Sequence, residues 1–283
     1  MARLGAHTFI WAAEWTTESA RSILREASAI GLDVIEIPLL RPREIDVEAT
    51  LKLCTEHNMS VTCSLGLPEH ANLSEHPQEG EAFLMDALEV AKALNSPCLT
   101  GVTYATIGKL SGYGPKNSEY ATMAKVLKRV ARHAQTLGLE IGLEPCNRYE
   151  THLLNTGEQT IALLERIAED NVFIHFDTYH MNIEEKGFSN ALRQAGGYCR
   201  YIHLSESDRG VPGTGTVDWD DVFAGLRDSN FQGDMVVEAF MVIHPDIARA
   251  LAVWRPVAPS VEVMVDEGLS FIRSKASQYK LLD

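Results

Sequence analysis

The sequence predicts a closed (β/α)8 TIM barrel, a single α/β domain over residues 1–283. Eight short apolar runs rich in β-branched residues recur along the chain, at 4–10, 34–39, 60–66, 98–104, 140–145, 172–177, 200–205 and 235–240. Each is followed by a longer segment of helical periodicity. Their spacing holds one strand, one helix and two connections per unit, with no gap wide enough for a second domain. The main competing architecture is an open dinucleotide-binding sheet, which wants a GxGxxG turn after its first strand; residues 7–15 contain no glycine. Eight units in a chain of this length are the usual size of a barrel.

The intervening segments read as helices from named residues. Asp46 can cap a helix that carries Ala49, Leu51 and Leu53. Val126, Val130, Ala134 and Leu137 form one apolar stripe, ended by Gly138. Thr156 and Gln159 have capping-box spacing before a stripe of Ile161, Leu164, Ile167 and Ala168. Asp218 can cap a helix that carries Val222, Phe223 and Leu226.

Composition narrows the function. Hydrophobic residues are 45% of the chain and no run approaches the roughly 18 apolar residues of a membrane span, so no membrane partner is expected. With 39 acidic against 25 basic side chains, the net charge of -14 opposes a polyanion surface, and nucleic acid is not an expected partner. Cys54, Cys63, Cys98, Cys146 and Cys199 contain no CxxC pair, which signals neither a disulfide framework nor a zinc knuckle. The start lacks the basic and long apolar regions of an export signal, so a reducing cytoplasm is the expected location.

In a barrel, strand side chains alternate between the interior and the helix layer, and chemistry gathers at the carboxyl ends of the strands. Ile141 and Leu143 suit the helix layer, which turns Gly142 and Glu144 inward. The same parity points His175 and Asp177 inward in the sixth run, His203 in the seventh and Glu238 in the eighth. Four consecutive strands thus end in a residue able to bind metal. Three carboxylates in one low-dielectric mouth repel unless a cation balances them. Three oxygens and one imidazole nitrogen suit a divalent ion with open positions, Mn²⁺ or Co²⁺ first and Mg²⁺ as a further candidate.

Around these residues the chain resembles the ketose 3-epimerases, the D-tagatose and D-psicose 3-epimerases among the xylose-isomerase-like barrels. The resemblance covers nearly the whole chain. It is carried by Gly142-Leu143-Glu144-Pro145 with Asn147-Arg148-Tyr149-Glu150 and Asn155-Thr156, and by Asp177-Thr178-Tyr179-His180-Met181-Asn182-Ile183-Glu184-Glu185. His203-Leu204-Ser205-Glu206-Ser207-Asp208-Arg209-Gly210, Val237-Glu238, Gly213-Thr214-Gly215, Val217-Asp218-Trp219 and Trp254-Arg255 complete it. The resemblance implies that Glu144, Asp177, His203 and Glu238 are metal ligands, and that Glu150, His180 and Arg209 contact the sugar near its carbonyl end. The amino-terminal half departs more from the family pattern, leaving His7, Trp15, Glu36, Ser64 and Tyr104 as candidates for the remaining wall of the pocket. The implied reaction is inversion at C3 of a ketose, with Glu144 and Glu238 as the two bases on either side of an enediolate. A small-molecule ketose is the expected partner, and a homodimer or homotetramer the expected assembly.

Other features read differently. Lys109, Ser111, Gly112, Gly114 and Pro115 suggest a lid more than a phosphate loop, because GxxxxGK[ST] is absent. His180 and Arg209 fall just beyond strand ends, in expected loops. Cys63 and Cys146 read as small core residues, and Tyr149, Trp219 and Trp254 as packing or interface residues. The runner-up function is a metal-dependent aldose-ketose or hydroxypyruvate-type isomerase, which moves a proton between C1 and C2. An abasic-site endonuclease wants more histidine ligands and a DNA-attracting surface, and a non-catalytic sugar-binding module would tolerate loss of either glutamate.

Overall fold

The computed structural model describes residues 2–242, 245, 248 and 251–282. Its eight strands are β1 (Arg3–His7), β2 (Val34–Pro38), β3 (Ser60–Gly66), β4 (Cys98–Val102), β5 (Glu140–Leu143), β6 (Val172–Asp177), β7 (Cys199–Leu204) and β8 (Asp234–Val237). All neighbours are parallel and β1 pairs with β8, which closes the barrel. The expected fold class is therefore the observed one. Several expected strands run past the observed ends, where the apolar chain continues into buried rim turns such as the 3₁₀ turn Thr8–Ile10.

Helices α1 (Thr17–Ala29), α2 (Val47–Glu56), α3 (Pro77–Ala93), α4 (Asn117–Leu137), α5 (Gly157–Ile167), α6 (Thr178–Glu184), α7 (Phe188–Ala195) and α8 (Trp219–Asp228) surround it, and α9 (Ser270–Gln278) continues from a π-helical turn over Met264–Leu269. Their ends obey local chemistry. Asp46 and Asp218 cap α2 and α8 with their carboxylates, and Thr156 with Gln159 forms the capping box of α5. Gly138 ends α4 at φ 73°, a left-handed conformation that glycine adopts without cost.

The barrel interior is layered. Val34, Cys98, Phe173, Tyr201 and Val236 form an apolar plug separate from the large core between strands and helices. One layer nearer the mouth, Glu36, Thr62, Thr100, His175 and His203 are buried polar residues. Gly142 makes room for this layer: a Cβ there would stand 1.9 Å from Thr100 Oγ1 and 2.7 Å from a Phe173 ring carbon. The β6–β7 register shifts between Ile174 and His175, a local irregularity just below the site.

Candidate active site

Strand parity delivers the expected residues to one place. Asp177 ends β6, where its Oδ1 also accepts from Tyr179 N–H at 2.8 Å and caps α6. His203 is the penultimate residue of β7, while Glu144 and Glu238 stand one residue beyond β5 and β8. Glu144 stays in line because its N–H donates to Gly101 O at 3.0 Å. His203 Nδ1 lies 3.5 Å from Glu238 Oε2 and 3.9 Å from Glu144 Oε1. Asp177, His203 and Glu238 each offer one ligand atom, all within 4.8 Å of one another; Glu144 forms a second such group with His175 and His203. All of these side chains are buried.

The donors fit a divalent cation. His203 Nδ1 is buried without a hydrogen-bond partner and faces carboxylates. Three oxygen donors and one imidazole nitrogen are a set for a divalent ion of borderline to hard character. Arg209 is the one guanidinium in this cluster among the described residues, and its Nη1 donates to Asp177 Oδ2 at 2.8 Å and to Glu238 Oε2. The Tyr179 ring at 4.1 Å and the Phe240 ring at 5.0 Å sandwich it.

The electrostatics set the two glutamates apart. Burial pushes Glu144 well above the usual carboxylate range, with Asp177 and Glu238 adding to it against the pull of His203. Burial also pushes Glu238 upward, but His203 and Arg209 outweigh it and hold its carboxyl well below that range. Burial raises Glu150 to about 7, against the attraction of Arg209.

His180 reads as a neutral donor. Its Nδ1 accepts from the Asn147 main-chain N–H at 3.1 Å, so the proton sits on Nε2. Nε2 points at Glu144 Oε1, 3.6 Å away, and at Glu150 Oε2 and Asp177 Oδ2, each at 3.9 Å. Burial, then Arg209, holds its pKa well below the usual histidine value. It lies in α6, not in the expected loop.

Arg209 is in a loop, as expected, but is buried and adopts a left-handed φ of 64°. That loop is folded around one carboxylate. Glu206 accepts from the N–H groups of Ser207, Gly213 and Val217 and from Trp219 Nε1, at 2.8 to 3.1 Å.

Glu144, Glu238, His203, Glu150, His180, Arg209, His7 and Ser64 line one pocket, together with apolar Leu40, Ile107 and Phe240. Three wall candidates do not. Trp15 turns away, donating from Nε1 to Thr50 Oγ1 at 3.0 Å. Tyr104 is buried behind Glu144, its hydroxyl donating to the Glu144 carbonyl at 2.9 Å. Glu36 lies under the floor, 2.8 Å from His203 Nε2; burial raises its pKa, but His203 and His7 bring it down to about 2. Residues that the sequence reading left without a role are Asn147, which fixes His180, and Tyr179 and Phe240, which hold Arg209. Asn147 and Tyr179 sit inside the quoted motifs, which was the available signal.

The lid segment gives no phosphate site, since Lys109 Nζ is engaged by Glu75 at 2.5 Å and Glu69 at 3.5 Å. Burial pushes the Cys63 thiol up to about 12, in keeping with a core residue. Trp219 packs inside, whereas Tyr149 and Trp254 are exposed. Among the described residues no helix is long and apolar enough to cross a membrane.

Comparison with known proteins identifies the family. The family model of the xylose isomerase-like TIM barrel matches residues 24–272. The chain is 36% identical to the L-ribulose 3-epimerase of Methylomonas sp. (strain DH-1), covering 96% of each chain. It is 35% identical to the ketose 3-epimerase of Arthrobacter globiformis over 99% of each. A crystal structure of the D-allulose 3-epimerase from Methylomonas sp. in complex with D-allulose superposes with a TM-score of 0.93, at 34% identity and over 97% of each chain. The chain belongs to the ketose 3-epimerases, isomerase-class enzymes built on the xylose isomerase-like TIM barrel.

Proposed function

We propose that the chain inverts C3 of a free ketose, a ketohexose or ketopentose of the D-tagatose, D-psicose, D-fructose or L-ribulose type, by proton exchange with two glutamates. The observation that carries this reading is the pair Glu144 and Glu238, which reach His203 Nδ1 from β5 and β8, on different sides of the barrel mouth. Glu144, Asp177, His203 and Glu238 would hold the divalent metal, Mn²⁺ or Co²⁺ in preference to Mg²⁺. When bound, that ion supplies Lewis acidity at the ketose carbonyl and so acidifies the C3 proton.

One glutamate takes the C3 proton from one face, and the C–H electron pair moves toward C2 to form the enediolate. The other glutamate, protonated, returns a proton to the opposite face, leaving the sugar inverted and the two carboxyls exchanged in protonation. His180 Nε2–H and Arg209 would donate to oxygens at the carbonyl end, Glu150 would orient His180 or a sugar hydroxyl, and His7 and Ser64 would contact the rest of the sugar. The single barrel domain would span residues 1–283. The five buried, unpaired cysteines support a reducing cytoplasmic location, and exposed Tyr149 and Trp254 support assembly into a homodimer or homotetramer.

Incubation of metal-loaded protein with a panel of ketoses in D₂O, read by NMR, tests the reaction. Deuterium at C3 with the epimeric product is expected. An aldose product deuterated at C2, with deuterium at C1 of the recovered ketose and none at C3, would identify the isomerase alternative instead.

A further inference from the structure

Under the pocket floor lies a carboxylate that the proton transfers do not use. Glu36 is the inward residue at the middle of β2 and is fully buried. Its Oε2 accepts from His203 Nε2 at 2.8 Å and from the Tyr201 hydroxyl. Because the Tyr201 proton is given to Glu36, the Tyr201 oxygen accepts in turn from Thr62 Oγ1, 2.9 Å away. Its other oxygen, Oε1, has no hydrogen-bond partner but lies 3.5 Å from His7 Nε2. The His7 proton points toward it, since His7 Nδ1 already accepts from Phe9 N–H at 3.1 Å.

No lysine or arginine is among these partners in the described residues. A buried carboxylate without a cationic side chain is expensive unless a paired group balances it. The shared partner is His203, whose far nitrogen faces Glu238 and Glu144. A carboxylate beside Nε2 accepts only, so the proton on that side of the ring must be on Nε2, which leaves Nδ1 as the nitrogen able to offer a lone pair. With the opposite tautomer, His203 would aim an N–H at the carboxylates and ligate nothing.

We infer that Glu36 is a positioning residue that fixes the orientation and the Nε2–H tautomer of His203, and so presents Nδ1 to the metal as a strengthened donor. The inference rests on reading His203 as a ligand. It places the reach of the metal site two layers into the barrel, through Tyr201 and Thr62 to the apolar plug.

The test compares full-length wild type with Glu36→Gln, both stripped of metal and titrated with Mn²⁺ while free Mn²⁺ is followed by EPR. Glu36→Gln keeps the size and an acceptor oxygen but loses the charge. Its Kd for Mn²⁺ should rise about 10- to 100-fold, the usual cost of losing a partner behind a metal ligand, with kcat largely recovered at saturating metal. A second readout needs no variant. In the Co²⁺-loaded wild type, His203 Nε2–H should give a hyperfine-shifted exchangeable proton resonance that disappears only slowly in D₂O, and Glu36→Gln should shift it and speed its exchange. A wild-type Kd in the variant, or no such protected resonance in the Co²⁺ protein, overturns the inference while leaving the metal site standing. A wild type that takes up no metal overturns the site and the inference together.

Discussion

Strands β5 to β8 deliver Glu144, Asp177, His203 and Glu238 to the barrel mouth, and the segments after them add Glu150, His180 and Arg209. Strands β1 to β4 and their connections deliver His7 and Ser64, with Leu40 and Ile107 beside them and Glu36 below the floor. The carboxy-terminal half gathers four buried carboxylates, Glu144, Glu150, Asp177 and Glu238, around the guanidinium of Arg209. The amino-terminal half mostly gives shape. This teaches where substitution is tolerated: an apolar wall can change volume at small cost, whereas each group of the charged half shares partners with two or three others.

The largest effect should come from removing the cation. Turnover should fall to background in a metal-free preparation and return with Mn²⁺ or Co²⁺, and metal should raise Tm by mass action. Full activity without metal, checked by elemental analysis, would break the contrast between the halves.

Next come the two bases. Glu144→Gln and Glu238→Gln should each lower net epimerisation by about 10² to 10⁴-fold or more, since an amide keeps an oxygen but takes no proton. In a wash-out assay each variant should still exchange the C3 proton of one epimer, and the two variants opposite ones. Wild-type epimerisation in either would remove the two-base scheme.

His180→Ala and Arg209→Ala should cost less, roughly 10² in kcat for a lost donor to developing charge, with metal content near wild type. Either variant losing its metal while folded would move that residue into the ligand set.

The smallest change tests the other half. Ile107→Val or Leu40→Val should shift the ratio of kcat/KM between ketoses by roughly tenfold or less, the scale of one methylene in an apolar pocket, and leave metal binding unchanged. Steady-state kinetics on two ketoses with metal titration would check this.

The same contrast explains what could be read from sequence. Asp177 and His203 were legible because Ile174 and Phe176 in one strand, and Ile202 and Leu204 in the other, mark the outward face and so turn the two polar residues inward. The expected strands at 60–66 and 172–177 coincide with β3 and β6. Those at 4–10, 98–104 and 235–240 overran because Phe9, Tyr104 and Phe240 are buried at the rim after the ladder has ended, so burial no longer marks strand. The wall was poorly legible for a related reason: Trp15 and Tyr104 lie beyond strand ends, where alternation stops predicting direction. Glu36 was within reach. It alternates with Ile35 and Ile37, and the parity applied to the later strands places it inside, below the rim. The short helix α6 escaped because seven residues capped by a site residue, Asp177, leave little periodicity to detect.

Glu206 gives the molecule an acid-sensitive latch. Burial pushes its carboxyl upward, but its four N–H donors outweigh this and hold it below the usual range. Its stabilising contribution is therefore complete above the ordinary glutamate value of 4.5 and is lost as pH falls through the lowered folded value. Protonation would release three main-chain amides and the Trp219 indole at once, and the segment they anchor carries Arg209. Acid below the ordinary glutamate range should thus free the guanidinium from Asp177 and Glu238 by local opening, before the barrel strands separate. Hydrogen exchange, corrected for intrinsic rates, should show the amides of Gly213 and Val217 losing protection at a higher pH than those of β6 and β7; simultaneous loss would mean that latch and barrel open as one unit.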